Sequence, residues 1–123
     1  MPSPTDEFFD ELNQRGYDPL VARVEGTLRF EVAHRGTTDV HNVTVDRGHL
    51  SVAPSGGRAD CVIRVDRSVF DSIVSGRSNA MAALLRGALS AEGNPEMLVI
   101  FQRLLSPAPS RVRDEAVTTV AGW

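Results

Sequence analysis

A chain of 123 residues, 41% hydrophobic and 24% charged, is long enough to bury one core without covalent staples and reads as a single globular domain. Its net charge of −3, from 13 basic and 16 acidic groups, offers nucleic acid no electrostatic footprint. The lone cysteine, Cys61, excludes an intramolecular disulfide and suits a reducing cytoplasm. No run approaches the roughly 18 apolar residues of a membrane span, and the acidic start through Asp6 and Glu7 is unlike a secretion signal. A cytoplasmic protein is expected. All basic residues are arginine, a composition that leans toward a GC-rich bacterial source.

In chain order, Ser3, Pro4 and Asp6 mark a helix start, Phe8, Phe9 and Leu12 its apolar stripe, and Arg15-Gly16 its stop. Asp18-Pro19 begins a second short turn with Leu20, Val21 and Val24. The period then falls to two. Leu28, Phe30 and Val32 predict one strand, Val43 and Val45 a second, Leu50 and Val52 a third, and Cys61, Ile63 and Val65 a fourth. Asp46-Arg47-Gly48-His49 is a hairpin signal, and Pro54-Ser55-Gly56-Gly57 closes the third strand. Short connections predict antiparallel pairing throughout this stretch.

The remainder reads mainly as helix. Ser68 is the expected cap of a helix with Phe70, Ile73 and Val74 on one face, ending at Gly76. Ser78 or Asn79 starts another, with Met81, Leu84, Leu85 and Ala88 at helical spacing. Leu89 and Ala91 alternate with Ser90 and Glu92 as a fifth strand. Asn94-Pro95 opens a last helix carrying Met97, Leu98, Ile100, Phe101, Leu104 and Leu105. Residues 106–123 form a weakly patterned tail, expected to be disordered or to fold back as a short helix around Arg111 to Val117.

These apolar stripes must cover one sheet face, leaving either a packed core or a core with a pocket. Binary patterning does not separate the two. The alanines of residues 79–88 leave volume unfilled, and Met81 and Met97 supply adaptable surface, but both are also ordinary core filling. Residues 1–25 carry a net −4 and residues 58–86 a net +2, consistent with two solvated faces or with an arginine-rimmed mouth for acidic head groups.

Candidate chemistry is sparse. His34, His41 and His49 fall at strand ends and turns without ligand spacing, so no metal site is expected. Asp66 and Glu92 are the carboxylates an acid/base site would use, but a capping role accounts for Asp66 and the polar strand face for Glu92. Cys61 alternates with Ile63 and Val65 as a small core residue.

The ordered set Gly26 to Val32, Ala59 to Asp66, Phe70 with Ile73 and Gly76, and Gly87 to Asn94 resembles the SCP2 sterol-carrier (sterol-binding) domain family over about residues 5–105. The resemblance implies an α/β (α+β) domain over residues 1–105. Its five-stranded, largely antiparallel sheet would be covered by helices on one face, with an apolar tunnel for a fatty acid, acyl chain or sterol. It further implies lipid binding without catalysis or cofactor, in a free-standing bacterial form. On that reading Phe30 and Ile63 floor the pocket and Phe70, Ile73, Val74, Met81, Leu85, Leu98, Phe101 and Leu105 line it. Arg77 and Arg86 are the head-group candidates. The competing classes are a ligand-free interaction or homodimerisation module and a small isomerase or hydratase.

Overall fold

The computed structural model describes residues 3–54 and 57–105; the tail and its helix expectation lie outside the described residues. Ten elements follow in order: α1 (Pro4–Arg15), a 3-10 turn (Pro19–Val21), β1 (Glu25–His34), β2 (Thr37–Asp46), β3 (His49–Ala53), β4 (Cys61–Asp66), α2 (Arg67–Val74), α3 (Ala80–Leu85), β5 (Leu89–Gly93) and α4 (Glu96–Leu104). The five strands form one sheet in the order β3-β2-β1-β4-β5.

Local chemistry fixes the ends of α1 as expected. The Ser3 hydroxyl accepts from the Asp6 N–H at 3.2 Å, and the Asp6 carboxylate accepts from the Ser3 N–H, a reciprocal cap. Asp18 caps the 3-10 turn by accepting from the Leu20 N–H at 2.9 Å. Buried Asp18 also holds the Arg15 guanidinium at 2.6 Å, which ties the end of α1 to that turn.

The strands are longer than the apolar alternation suggests. β1 and β2 each run ten residues and pair in full from Glu25↔Asp46 to His34↔Thr37. Arg35-Gly36 forms the turn between them, with φ of 50° and 80°, a two-residue hairpin with both central residues left-handed. The first half of β2 escapes pattern reading because Thr37 to Asp39 are exposed. His41 therefore sits inside β2 rather than at a strand end.

Antiparallel pairing does not hold throughout. β4 runs parallel to β1, from Leu28↔Cys61 to Ala33↔Asp66, while the other three pairings are antiparallel. β3 occupies one edge, so the chain crosses back over β2 and inserts β4 on the far side of β1. A parallel partner requires such a crossover, and strand periodicity carries no information on it.

Leu28, Phe30, Val32, Val43, Val45, Leu50, Cys61, Ile63, Val65 and Leu89 are the buried apolar strand residues, and they share one face with the helices. The opposite face is polar. There Arg64 bridges Glu31 at 3.0 Å and Glu92 at 2.8 Å, spanning three strands.

Two helix starts differ from expectation. α2 begins at Arg67 with Asp66 at the cap position, and neither Asp66 nor Ser68 supplies the cap bond expected of it. Asp71 instead reaches α1, accepting from the Thr5 N–H at 2.9 Å and the Thr5 hydroxyl at 2.5 Å. Asn79, not Ser78, caps α3 by accepting from the Ala82 N–H at 3.1 Å.

Candidate functional site

All five phenylalanines of the chain gather between the helices and the sheet. Phe8 and Phe9 come from α1, Phe30 from β1, Phe70 from α2 and Phe101 from α4. Phe30 meets Phe101 edge-on at 5.0 Å and Phe9 at 5.3 Å. Phe70 stacks on Phe9 at 5.7 Å and on Phe101 at 5.8 Å. Such pairs add specific quadrupole attraction to their area burial.

Phe30, Ile63, Phe70 and Phe101 are thus brought together, each with 0% exposure. The space assigned to a ligand is filled by the protein's own rings. The small residues of α3 suggested spare volume, but five large rings from other elements take it up.

Above this cluster the surface opens. A groove of about 450 Å³ lies between the end of α2, the start of α3 and the end of α4, lined by Ile73, Val74, Gly76, Ser78, Asn79, Ala80, Gln102 and Leu105. Its size falls within the roughly 300–1,000 Å³ of small-molecule sites. Ile73 and Leu105 each sit one helical turn from the stacked pair, following Phe70 and Phe101. The groove therefore overlies the aromatic cluster.

Of the remaining candidates, Leu98 is buried, and Met81 packs against the core without being fully enclosed. Leu85 is a correction: at 82% exposure it points to solvent. The inward face of α3 is Ala80 and Ala83, one position out of phase with the Met81 and Leu85 stripe that hydrophobicity favours. Arg77 lies in the turn that contributes Gly76 and Ser78 to the groove, its Nε donating to Ser75 Oγ at 3.2 Å. Arg86 caps the far end of α3 and does not line the groove.

A second depression, of about 500 Å³, lies between the β1–β2 turn and the start of α2, lined by His34, Arg35, Asp66, Arg67 and neighbouring small or polar residues. Its polar walls do not suit an acyl chain.

Several polar residues serve the scaffold. Asp60 accepts from the Thr27 N–H at 2.8 Å, and its backbone joins Thr27 and Asn94, holding the β1, β4 and β5 ends together. Sequence reading missed this role, although Asp60 lies within the quoted block before β4. Burial pushes the Cys61 thiol up, away from thiolate chemistry. The His41 ring stacks on Phe9 at 4.0 Å, and its pKa is lowered, first by burial. Asp66 and Glu92 are both exposed, and Glu92 pairs with Arg64 on the polar face of the sheet. Among the described residues no three His, Cys, Asp or Glu side chains come together as a metal site, and no helix is long and apolar enough to cross a membrane.

Fold and site together define an α/β domain whose distinguishing feature is an apolar helix–sheet interface beneath an open groove. The profile of the SCP-2 sterol transfer family matches residues 7–106, and the chain belongs to that family. Sterol carrier protein domain 2 of Helicoverpa armigera superposes with a TM-score of 0.70 at 17% identity, covering 84% of this chain and 86% of that one. Sterol carrier protein 2 of Aedes aegypti, solved in complex with the C16 fatty acid palmitate, gives 0.66 at 20% identity, over 86% and 97%. The stereoselective inverting sec-alkylsulfatase of a Pseudomonas species gives 0.68 at 22% identity; 84% of this chain is covered but only 16% of that enzyme. None of the curated proteins compared with the chain matches it.

Proposed function

We propose that this protein binds a single-chain lipid, a fatty acid or acyl group, without catalysing its conversion. The observation that carries this reading is the groove over the Phe70–Phe101 stack, where Ile73, Val74, Ala80 and Leu105 border an opening beside the core. An acyl chain enters by separating α4 from α2 and replacing ring–ring contacts with ring–methylene contacts. Each buried methylene contributes about 0.8 kcal/mol. A moderately long chain therefore offsets the cost of parting the rings and of association. Arg77, beside the groove, supplies the cation for a carboxylate head group. Membership of the family and the palmitate complex of the Aedes aegypti protein support this choice of ligand.

The filled interior favours a second reading, an interaction module that holds no ligand and buries its exposed apolar residues against a partner or second copy. Native mass spectrometry of freshly purified protein separates the two. A ligand-sized adduct lost on denaturation supports the carrier; a dimer free of adduct supports the module. The carrier also requires that Val74→Glu, a half-buried position on the groove wall, abolish uptake of a fluorescent fatty acid while the fold survives.

A further inference from the structure

Four rings lie nearly parallel in one run through the molecule. The His41 imidazole stacks on Phe9 at 4.0 Å with planes 10° apart, Phe9 on Phe70 at 5.7 Å and 8°, and Phe70 on Phe101 at 5.8 Å and 7°. The run starts on β2, passes through α1 and α2, and ends on α4 at the seam beneath the groove. Its three phenylalanines are buried, while His41 is half-buried. His41 and Phe9 also line a depression of about 370 Å³ between α1 and β3, whose walls include Asp6, Asp10, Val52 and Ala53. The ring of the run that titrates near neutral pH thus stands at its open end.

The charges around His41 come from three elements. α1 faces it with Asp6 and Asp10, β2 with Asp39, and α2 with Arg67. β1 pairs Phe30 with it and β3 lines the depression with Val52 and Ala53, none of them charged. Arg67 is engaged with Asp6 at 2.6 Å and Asp39 at 3.8 Å. Asp10 is exposed and forms no ion pair with a described residue, so it is the carboxylate open to a protonated imidazole. An imidazolium stacked on Phe9 gains some cation–π attraction. Burial is nonetheless the largest influence on this ring, and it disfavours the charged form.

We infer that His41 is a pH switch on the lipid groove: its protonation withdraws the imidazole from Phe9 and favours the parted seam that admits an acyl chain. The inference rests on the lipid-binding reading and adds its regulation. The charged ring turns into the depression, toward water and Asp10. Phe9 then loses a stacking partner, and Phe70 is held less firmly against Phe101. Proton and ligand bias the same closed–parted equilibrium, so each strengthens the binding of the other. Affinity rises in mild acid, and bound ligand moves the titration of His41 to higher pH.

The test is the affinity of the full chain for a pyrene-labelled long-chain alcohol, whose head group does not titrate, read by fluorescence from about pH 7.5 to about pH 5.5. The parent should bind about fivefold more tightly at the acid end. His41→Phe keeps a stacking ring that cannot be charged, and should hold the parent's neutral-pH affinity throughout. His41→Gln removes the stack at every pH, and should bind tightly without pH dependence. Circular dichroism at both ends of the range checks that each variant is folded. In NMR spectra of the parent, saturating alcohol should shift the His41 titration upward. Parent affinity that is flat or falls in acid overturns the inference. So does a His41→Phe variant that keeps the parent's pH dependence, or a His41 titration that the alcohol leaves in place. Failure of the parent to bind the alcohol at any pH overturns the carrier reading, and the inference with it.

Discussion

The rings of Phe70 on α2 and Phe101 on α4 stack with centroids 5.8 Å apart and planes 7° from parallel. This pair joins two helices distant in sequence and lies beneath the groove that Ile73 and Leu105 line. It serves as the seam of the core and, in the proposed function, as the door to it.

Truncating one leaf of that seam should separate stability from binding. Phe101→Ala is expected to cost about 3–5 kcal/mol, the usual range for emptying a buried aromatic site. A saturating fatty acid should then raise the melting temperature of the variant more than that of the parent, because ligand fills the vacated volume. Calorimetry with and without ligand measures both effects.

Thr5 and Asp71 clasp α1 to α2, with the Thr5 N–H and hydroxyl both donating to one carboxylate oxygen. Thr5 is 2% exposed, so Asp71→Ala leaves its donors without their acceptor. The expected loss is about 1–3 kcal/mol in urea unfolding. Asp71→Asn keeps an acceptor and should lose less.

Gly93 has a φ of +115°, and a Cβ there would run into the carbonyl oxygen of Asp60. Neither the backbone of β4 nor an L side chain in that conformation can yield cheaply. Gly93→Ala should cost about 2–3 kcal/mol. Amide exchange should quicken first at Cys61 and Asn94, where β4 meets β5 and the approach to α4.

His41 should make the fold sensitive to mild acid. Burial lowers its pKa, opposed by Asp39 and Asp6, reinforced by Arg67 and opposed again by Asp10. The unfolded chain therefore binds the proton more readily than the folded one, so stability rises with pH across this window. The contribution is present above the ordinary histidine value of about 6.5 and is lost as pH falls toward the lower folded value. Urea midpoints measured from pH 7.5 downward should fall more steeply for the parent than for His41→Gln.

Much of the architecture was legible. The caps at Ser3, Asp18 and Asn79, the five apolar strand faces and the helical spacing of Phe101 and Leu104 are local signals, and each lands in its element. The parallel β1–β4 pairing was not legible, because alternation in Cys61, Ile63 and Val65 is the same for either direction. Leu85 misled for a related reason. A six-residue helix offers too few turns to set its phase, and two alanines, which hydrophobicity ranks low, take the inward positions. Phe30, Ile63, Phe70 and Phe101, expected to floor and line a pocket, are all fully buried. That they would close on one another depends on ring volumes converging from α1, β1, α2 and α4, which no single segment records.

The central claim is that an acyl chain parts α4 from α2 at the Phe70–Phe101 seam. Amide and aromatic NMR spectra recorded during a palmitate titration test it most directly. Saturable shifts are expected at Phe70, Ile73, Val74, Phe101 and Leu105, with the Arg64–Glu31–Glu92 face undisturbed. Spectra that do not change, or that change only on the polar sheet face, would contradict it.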